Sequence, residues 1–417
     1  MSTKERQTRS SLWSLWSLWT SWSLCGAAAV TGVASPALAQ TTPTGYVSVF
    51  VDHLPNRDAT ELRARGFAEV KVDAGPHVRV TASGFVEGLL ADRSGRVTDA
   101  IAEPRELKVT VHGKRFDVGA GLARVVWGRL DELQPTDVIN PIDVSRFFFE
   151  GRSEARLAVP LVRGTLYAGD KASLEGIYVP VFRRGRFDRL AERSSPFNLA
   201  PSAIAFSDLT PGSSQGGARL SATSGRVDWS ISAYRGFRPF GIYSSVTTPP
   251  GLARVYPRFT MIGADFETVS GPWVIRGEAA AYPRDAFQAP TEPLALAGRS
   301  FDAGAAVDRK AGDYRISGQV LVHQERHRLA TDPTGRTDVS LIVSADRSFA
   351  RQKYQGRLFG VYNPGSHAGF ARGIASASLR DDVALEGSIG WFAGSGLDTI
   401  SRFADSDFVY VRLKYFF

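Results

Sequence analysis

Two charged segments of this 417-residue chain hold the side chains best placed to do chemistry. Between Arg129 and Ser153 four carboxylates, Asp131, Glu132, Asp137 and Asp143, precede the triplet Phe147-Phe148-Phe149. From Phe182 to Arg193 runs the densest basic cluster, with Arg183, Arg184, Arg186 and Arg189, a set able to gather anions or grip phosphate bidentately. Carboxylates set against guanidiniums produce fields that sort charged solutes, and need break no bond. Signatures of bond-making chemistry are poor: there is no Gly-x-Ser-x-Gly, no phosphate-binding Gly-rich loop with Lys and no Cys/His zinc spacing. His323 and His327 flank Glu325, but four residues along a strand span about 13 Å. That is too far to share a metal, so a metal site there needs a loop conformation. No cofactor and no metal is expected.

The elements that must position these residues begin after residue 39. Lys4, Arg6 and Arg9 precede an apolar run from Leu24 to Ala34, and Ala37-Leu38-Ala39 supplies a small-residue cleavage pattern, so residues 1–39 read as a secretory signal peptide. Cys25 is the only cysteine and leaves with that leader. The remaining 378 residues carry 47 basic and 41 acidic side chains, a net charge of +6. Nucleic-acid binders concentrate such an excess on one face or helix, whereas here charged and apolar residues alternate one by one, so no nucleic acid is expected.

The alternation has a period of two from end to end. In Glu61–Asp73, Leu62, Ala64, Ala68, Val70 and Val72 oppose Arg63, Arg65, Glu69, Lys71 and Asp73, with Phe67 breaking the pattern. Such a segment, extended, presents one apolar and one polar face. A soluble sandwich also alternates, but these runs last roughly 9 to 13 residues, the length of a tilted membrane-crossing strand. Short turns fall near Gly75, Gly113, Gly169, Gly225, Gly271, Gly312, Ala350 and Asp381, and nine longer polar connections separate them, the third at residues 128–152. That arrangement predicts an all-β chain: one transmembrane antiparallel up-and-down β-barrel over residues 40–417, with about 18 strands and 16 as the alternative count. Lipid offers no partners to backbone amides, so the sheet must close on itself, apolar side out. Tyr178, Trp273, Tyr282, Tyr354 and Trp391 are expected in aromatic girdles.

The last strand carries a resemblance. Val409, Val411, Leu413, Tyr415 and Phe417 alternate with Phe408, Tyr410, Arg412, Lys414 and Phe416, which resembles the C-terminal signature of bacterial outer-membrane barrels. The resemblance implies an assembly signal at Tyr415 and Phe417, read by the barrel-assembly machinery, and an outer-membrane location. Val126-Trp127-Gly128-Arg129 with Asp137-Val138-Ile139-Asn140-Pro141-Ile142-Asp143 is similar to a segment of porin-like families that include alginate-export porins. Porin likeness implies that the third loop enters the lumen.

On that reading Asp131, Glu132, Asp137 and Asp143 form a candidate constriction. They face a candidate basic wall of Arg63, Arg65, Arg79, Lys108, Arg219, Arg315, Arg357, Arg412 and Lys414. Phe147–Phe149 would anchor the loop to the inner wall. Arg183, Arg184, Arg186 and Arg189 would act at the mouth or hold lipopolysaccharide phosphates. The expected function is a non-enzymatic outer-membrane porin passing small hydrophilic solutes with mild anion preference. The alternatives are a dedicated export channel for an anionic polysaccharide or lipidic molecule, and an outer-membrane hydrolase. Outer-membrane lipid, lipopolysaccharide and small solutes are the expected partners, with homo-oligomerisation left open.

Overall fold

The computed structural model describes residues 42–91, 99–186, 207–247, 250–288, 294–327, 336–396, 398 and 400–417. The segment 1–39 and Arg189 lie outside the described residues. Twenty-one strands are described. In chain order they are β1 (Thr44–Leu54), β2 (Ala59–Asp73), β3 (Val78–Ala91), β4 (Asp99–His112), β5 (Phe116–Ala123), β6 (Val159–Ala168) and β7 (Ala172–Val179). Then come β8 (Ser207–Leu209), β9 (Gln215–Ser224), β10 (Val227–Phe237), β11 (Ile242–Thr247), β12 (Pro250–Val255), β13 (Arg258–Ser270) and β14 (Trp273–Gln288). The last are β15 (Ala295–Ala311), β16 (Tyr314–His327), β17 (Thr337–Phe349), β18 (Tyr354–Asn363), β19 (Ala368–Arg380), β20 (Val383–Ala393) and β21 (Phe408–Phe416).

Eighteen of these make one sheet in which each strand pairs antiparallel with its sequence neighbours, and β1 pairs with both β2 and β21. The sheet is therefore a closed barrel with no free edge. Its seam is completed at the C-terminus, where Gly45 and Phe417 exchange both backbone hydrogen bonds at 3.0 and 3.1 Å. The three remaining strands, β8, β11 and β12, form a small separate sheet in the connections that flank β9 and β10. All eight short turns fall where the sequence places them. A left-handed residue makes several possible, as at Gly271 with φ 56°. The Gly- and Ala-containing stretch 296–306 lies inside the 17-residue β15.

The period of two becomes an outside and an inside. Val47, Val49 and Val51 are 45–50% exposed while Ser48, Phe50 and Asp52 between them are buried; Val409, Val411, Leu413 and Tyr415 are likewise exposed while Tyr410 and Arg412 are buried. Apolar side chains cover the outer surface of the barrel, and this surface suits hydrocarbon because every backbone group inside the sheet is already paired. Exposed aromatics ring both ends: Phe116, Trp273, Tyr314, Phe349 and Tyr354 near the short turns, Tyr178, Tyr362 and Trp391 near the long loops. Tyr282 is a correction to the expected girdle. It is only 2% exposed and points inward, because its hydroxyl donates to the Pro135 carbonyl of the third long loop at 2.7 Å.

That loop is longer than the sequence suggests, running from residue 124 to 158 rather than 128 to 152. It contains two short helices, α1 (Val144–Glu150) and α2 (Arg152–Ala155). Two apolar clusters hold it. One joins Val125, Trp127 and Ile139 of the loop to Leu161, Ile177, Tyr234, Phe259 and Met261 on β6, β7, β10 and β13. The other joins Phe148 to Phe370, Phe392, Phe408 and Tyr410 on β19, β20 and β21. Half the circuit of strands separates the two, so the loop crosses the lumen.

Candidate functional site

The crossing loop meets the inner wall through charge as well as through apolar contact. Glu278 of β14 is 4% exposed and accepts four hydrogen bonds from the loop: from the backbone amides of Arg129 (2.9 Å), Leu130 (3.2 Å) and Thr136 (2.6 Å), and from the Thr136 hydroxyl (2.8 Å). Gly128 permits this approach. Its φ is +98°, and a Cβ there would lie 2.6 Å from Glu278 Oε1. The next residue, Arg129, reaches Asp265 of β13 at 2.7 Å.

On the opposite side, Glu150 at the end of α1 is set among Arg65 of β2 (2.5 Å), Arg412 of β21 (3.3 Å) and Arg146 (3.7 Å). Burial alone would raise this carboxyl, but the three guanidiniums dominate and hold it well below the ordinary carboxylate range. Arg146 also pairs with Glu87 of β3 at 3.0 Å and lies over the Phe85 ring at 4.0 Å. Side chains from at least five strands, on both sides of the lumen, thus converge on one loop.

The nine expected wall cations all occur on the inner face, each with an acidic partner. Arg63 and Arg65 are 7% and 3% exposed and share Glu87, with Arg63 also on Glu61, so these two sit beneath the loop; Arg412 lies against Glu150 of α1 and borders the open space on the short-turn side. Arg79 pairs with Asp73 near the short-turn rim, Lys108 with Glu106, and Arg219 with Asp265. Arg315 pairs with Asp308 and Asp131, Arg357 with Glu132 and Asp346, and Lys414 with Glu386.

The four loop carboxylates divide. Asp131 and Glu132 face the wall, Asp131 toward Arg276 and Arg315, Glu132 toward Arg357. Burial lifts the Glu132 carboxyl above its ordinary value, with Arg357 pulling the other way. Asp137 and Asp143 do not face the wall, which corrects that expectation. Asp137 neutralises the loop's own Arg152 and Arg156 at 3.1 and 2.7 Å. Asp143 caps α1 by accepting from the Arg146 amide. Local carboxylate demand inside the loop outweighs the wall, since unpaired buried guanidiniums are costly.

The basic run after β7 also turns inward. Arg183 and Arg186 both bind Glu103 of β4, and Arg183 donates to the Ala158 carbonyl at 2.6 Å. Arg186 pairs by its backbone with Ile142 and Val144 of the crossing loop. Arg184 pairs with Asp208. The expected lipopolysaccharide contact through Arg183 and Arg186 is therefore corrected, because their head groups occupy the lumen side of the rim.

His323, Glu325 and His327 lie on β16, not in a loop, and Glu325 accepts from both imidazoles at 2.9 and 3.3 Å. His323 also meets Asp302. No group of three metal-ligating side chains suited to an ion occurs among the described residues, and no described histidine is hydrogen-bonded to a serine hydroxyl.

Open space lies on both faces of the loop. Toward the long-loop end a cavity of about 310 Å³ is lined by Asp137, Arg152, Arg238, Tyr282, Asp302 and His323, among others. Toward the short-turn end one of about 370 Å³ carries the cations Arg105, Arg372, Arg412 and Lys414 with the anions Glu150, Glu154 and Glu386. The loop thus has a cavity on each face, the long-loop one lined also by Val138, Ile142, Phe259 and Leu321 and the short-turn one mainly by charged side chains.

No protein-family profile matches the chain, and comparison with curated sequences finds no significant relative. Solved structures do share its architecture. The outer-membrane protein OpdK of Pseudomonas aeruginosa superposes with a TM-score of 0.54 at 8% identity, over 91% of this chain and 99% of that one. OccAB1 of Acinetobacter baumannii gives 0.55 at 8% identity, over 92% and 98%. A Pseudomonas aeruginosa OpdK structure with vanillate gives 0.52 at 10% identity, over 91% and 98%. What fold and likeness define is a closed antiparallel β-barrel of 18 strands. At such identities the likeness speaks for the fold alone.

Proposed function

We propose that this chain is a bacterial outer-membrane porin through which small hydrophilic solutes diffuse passively, with a mild preference for anions. The observation that supports it best is the loop 124–158, fixed to both sides of the lumen with a cavity on each face and ion pairs to the wall. A closed barrel with a wet, partly blocked interior is a selective hole, and its selectivity lies in the field at the narrowing. Exposed cations on the inner face supply that field: Arg163, Arg315 and Arg357 have side chains 40–47% exposed although each has a carboxylate partner. No bond is made or broken in this reading.

Residues 1–39 serve as the export signal, and Tyr415 and Phe417 as the mark read by the barrel-assembly machinery. Planar-bilayer recording of the purified barrel tests the proposal: a steady ohmic conductance with a reversal potential on the anion side supports it, and a sealed barrel refutes it. Vanillate, present in one OpdK structure, is a reasonable first solute for liposome-swelling assays.

A further inference from the structure

The outer surface carries four arginines that the channel reading does not use. Arg235 of β10, Arg284 of β14, Arg299 of β15 and Arg326 of β16 are all exposed. Each has the outward parity of its strand: Ile231, Phe301 and Ile316 are exposed on the same faces, while Ser230, Ser300 and Ser317 beside them are buried. Strand register aligns them. Arg235 lies opposite Thr260 of β13, Thr260 opposite Arg284, and Arg299 opposite Arg326. Arg284 belongs to a bulge, Pro283 and Arg284 together facing Arg299 across the ladder. The four form one row across five adjacent strands, about 4.8 Å per strand, at the long-loop end.

The side chains of the four make no ion pair, hydrogen bond or ring contact with any other described residue. The contrast with the short-turn end is direct. There the outward Arg309 stacks over Trp273 at 5.1 Å and Arg347 over Tyr314 at 4.6 Å, so that both cations are partnered within the protein. Like charges directly opposite in a ladder repel, and Arg299 faces Arg326 across the β15–β16 ladder. The row lies just above Phe301, which is 45% exposed, at the upper margin of the apolar surface. A cation there is next to lipid headgroups, and guanidiniums bind phosphate bidentately.

We propose that this row is a docking site for the phosphorylated headgroup of an outer-leaflet glycolipid, lipopolysaccharide, with phosphate bridging Arg299 and Arg326 and the acyl chains lying on the apolar face below. The proposal rests on the outer-membrane reading for its orientation, long loops outward. It replaces the inward-turned Arg183 and Arg186 as the lipid contact.

The test uses the full barrel in detergent, titrated with purified lipopolysaccharide and followed by native mass spectrometry. Each arginine at a charged lipid surface contributes about fivefold in affinity, so R284S/R299S/R326S is expected to weaken binding by about a hundredfold. R299E, which places a carboxylate opposite Arg326, should weaken it while leaving the barrel folded. R309S/R347S at the other end should leave it unchanged. Unaltered affinity in R284S/R299S/R326S overturns the proposal. So does equal binding of dephosphorylated lipopolysaccharide, or full displacement by inorganic phosphate at millimolar concentration, which would make the row a free-anion site. Single-channel conductance, which the outward row should not affect, is measured on the same samples; a barrel that binds lipid but does not conduct refutes the channel reading alone.

Discussion

Removing the Glu278 carboxylate should set the crossing loop moving. The side chain accepts three loop amides and one hydroxyl at 2.6–3.2 Å, so Glu278→Ala leaves three backbone N–H groups on the Arg129–Thr136 segment without an acceptor. An orphaned buried donor costs about 1–3 kcal/mol, giving about 3 kcal/mol as the lower figure for the set, since lumen water can enter and satisfy part of the need. A shift of about 3 kcal/mol changes the docked-to-undocked ratio more than a hundredfold. Trp127, Ile139 and the Phe148 cluster still hold the rest of the loop, so the barrel should fold and the segment should fluctuate. Single-channel recording reads this as rapid flicker and a raised mean conductance. Gly128→Ala should produce the same phenotype, because its Cβ would collide with Glu278 from the other side. A quiet Glu278→Ala channel with wild-type conductance, in protein shown to be folded by heat-modifiable electrophoresis, would refute the idea that this carboxylate fixes the constriction.

Other outcomes follow from the same contacts. Glu150→Gln removes the anion that Arg65, Arg146 and Arg412 share; because Arg65 and Arg146 keep Glu87 and Arg412 keeps Glu386, the loss should fall below the about 3–5 kcal/mol of a buried charge stripped of its partner, read as a lower midpoint for thermal unfolding of the barrel. The folded Glu150 carboxyl lies below its ordinary value of 4.5, so its stabilising contribution is fully present above that pH and declines as pH falls below it; conductance should become noisier on acidification through this range and recover on return to neutrality. Phe148→Ala should cost about 3–5 kcal/mol and loosen the loop on the β19–β21 side, measurable as faster proteolysis within residues 144–155. R183S/R184S/R186S should lower anion over cation permeability, because Glu103 then faces the rim without its two partners; an unmoved reversal potential would count against any role at the mouth. Deleting Asp137–Asp143 removes the ion pairs to Arg152 and Arg156 and should enlarge conductance.

The barrel was legible because its solvent imposes a simple rule: each side chain in a strand meets lipid or water, and the two alternate. Glu61–Asp73 and the C-terminal Val409–Phe417 obey it almost residue by residue. Turns were legible through Gly225, Gly271 and Gly312, where a left-handed backbone is needed. The loop boundary was not, since Val125 and Trp127 extend the period of two past Ala123; they are buried against the inner wall from a loop, and the pattern looks the same for either partner. Tyr282 was misplaced for a related reason, because an inward aromatic that meets a folded-in loop is indistinguishable by type from a girdle residue. Among the charges, composition could name Arg65, Arg412 and Asp137 but not who neutralises whom. Glu150 and Glu278, the two carboxylates that gather the most loop contacts, carry no local motif, and their roles depend on strands far apart in sequence.

The most direct measurement is the conductance of the purified, refolded chain in a planar lipid bilayer. A porin with a loop across its lumen should give small, steady, ohmic steps with weak anion selectivity, and larger steps once the loop is shortened. A chain that dissolves as a detergent-free monomer, or inserts yet carries no current with the loop intact or shortened, would contradict a water-filled path through this barrel.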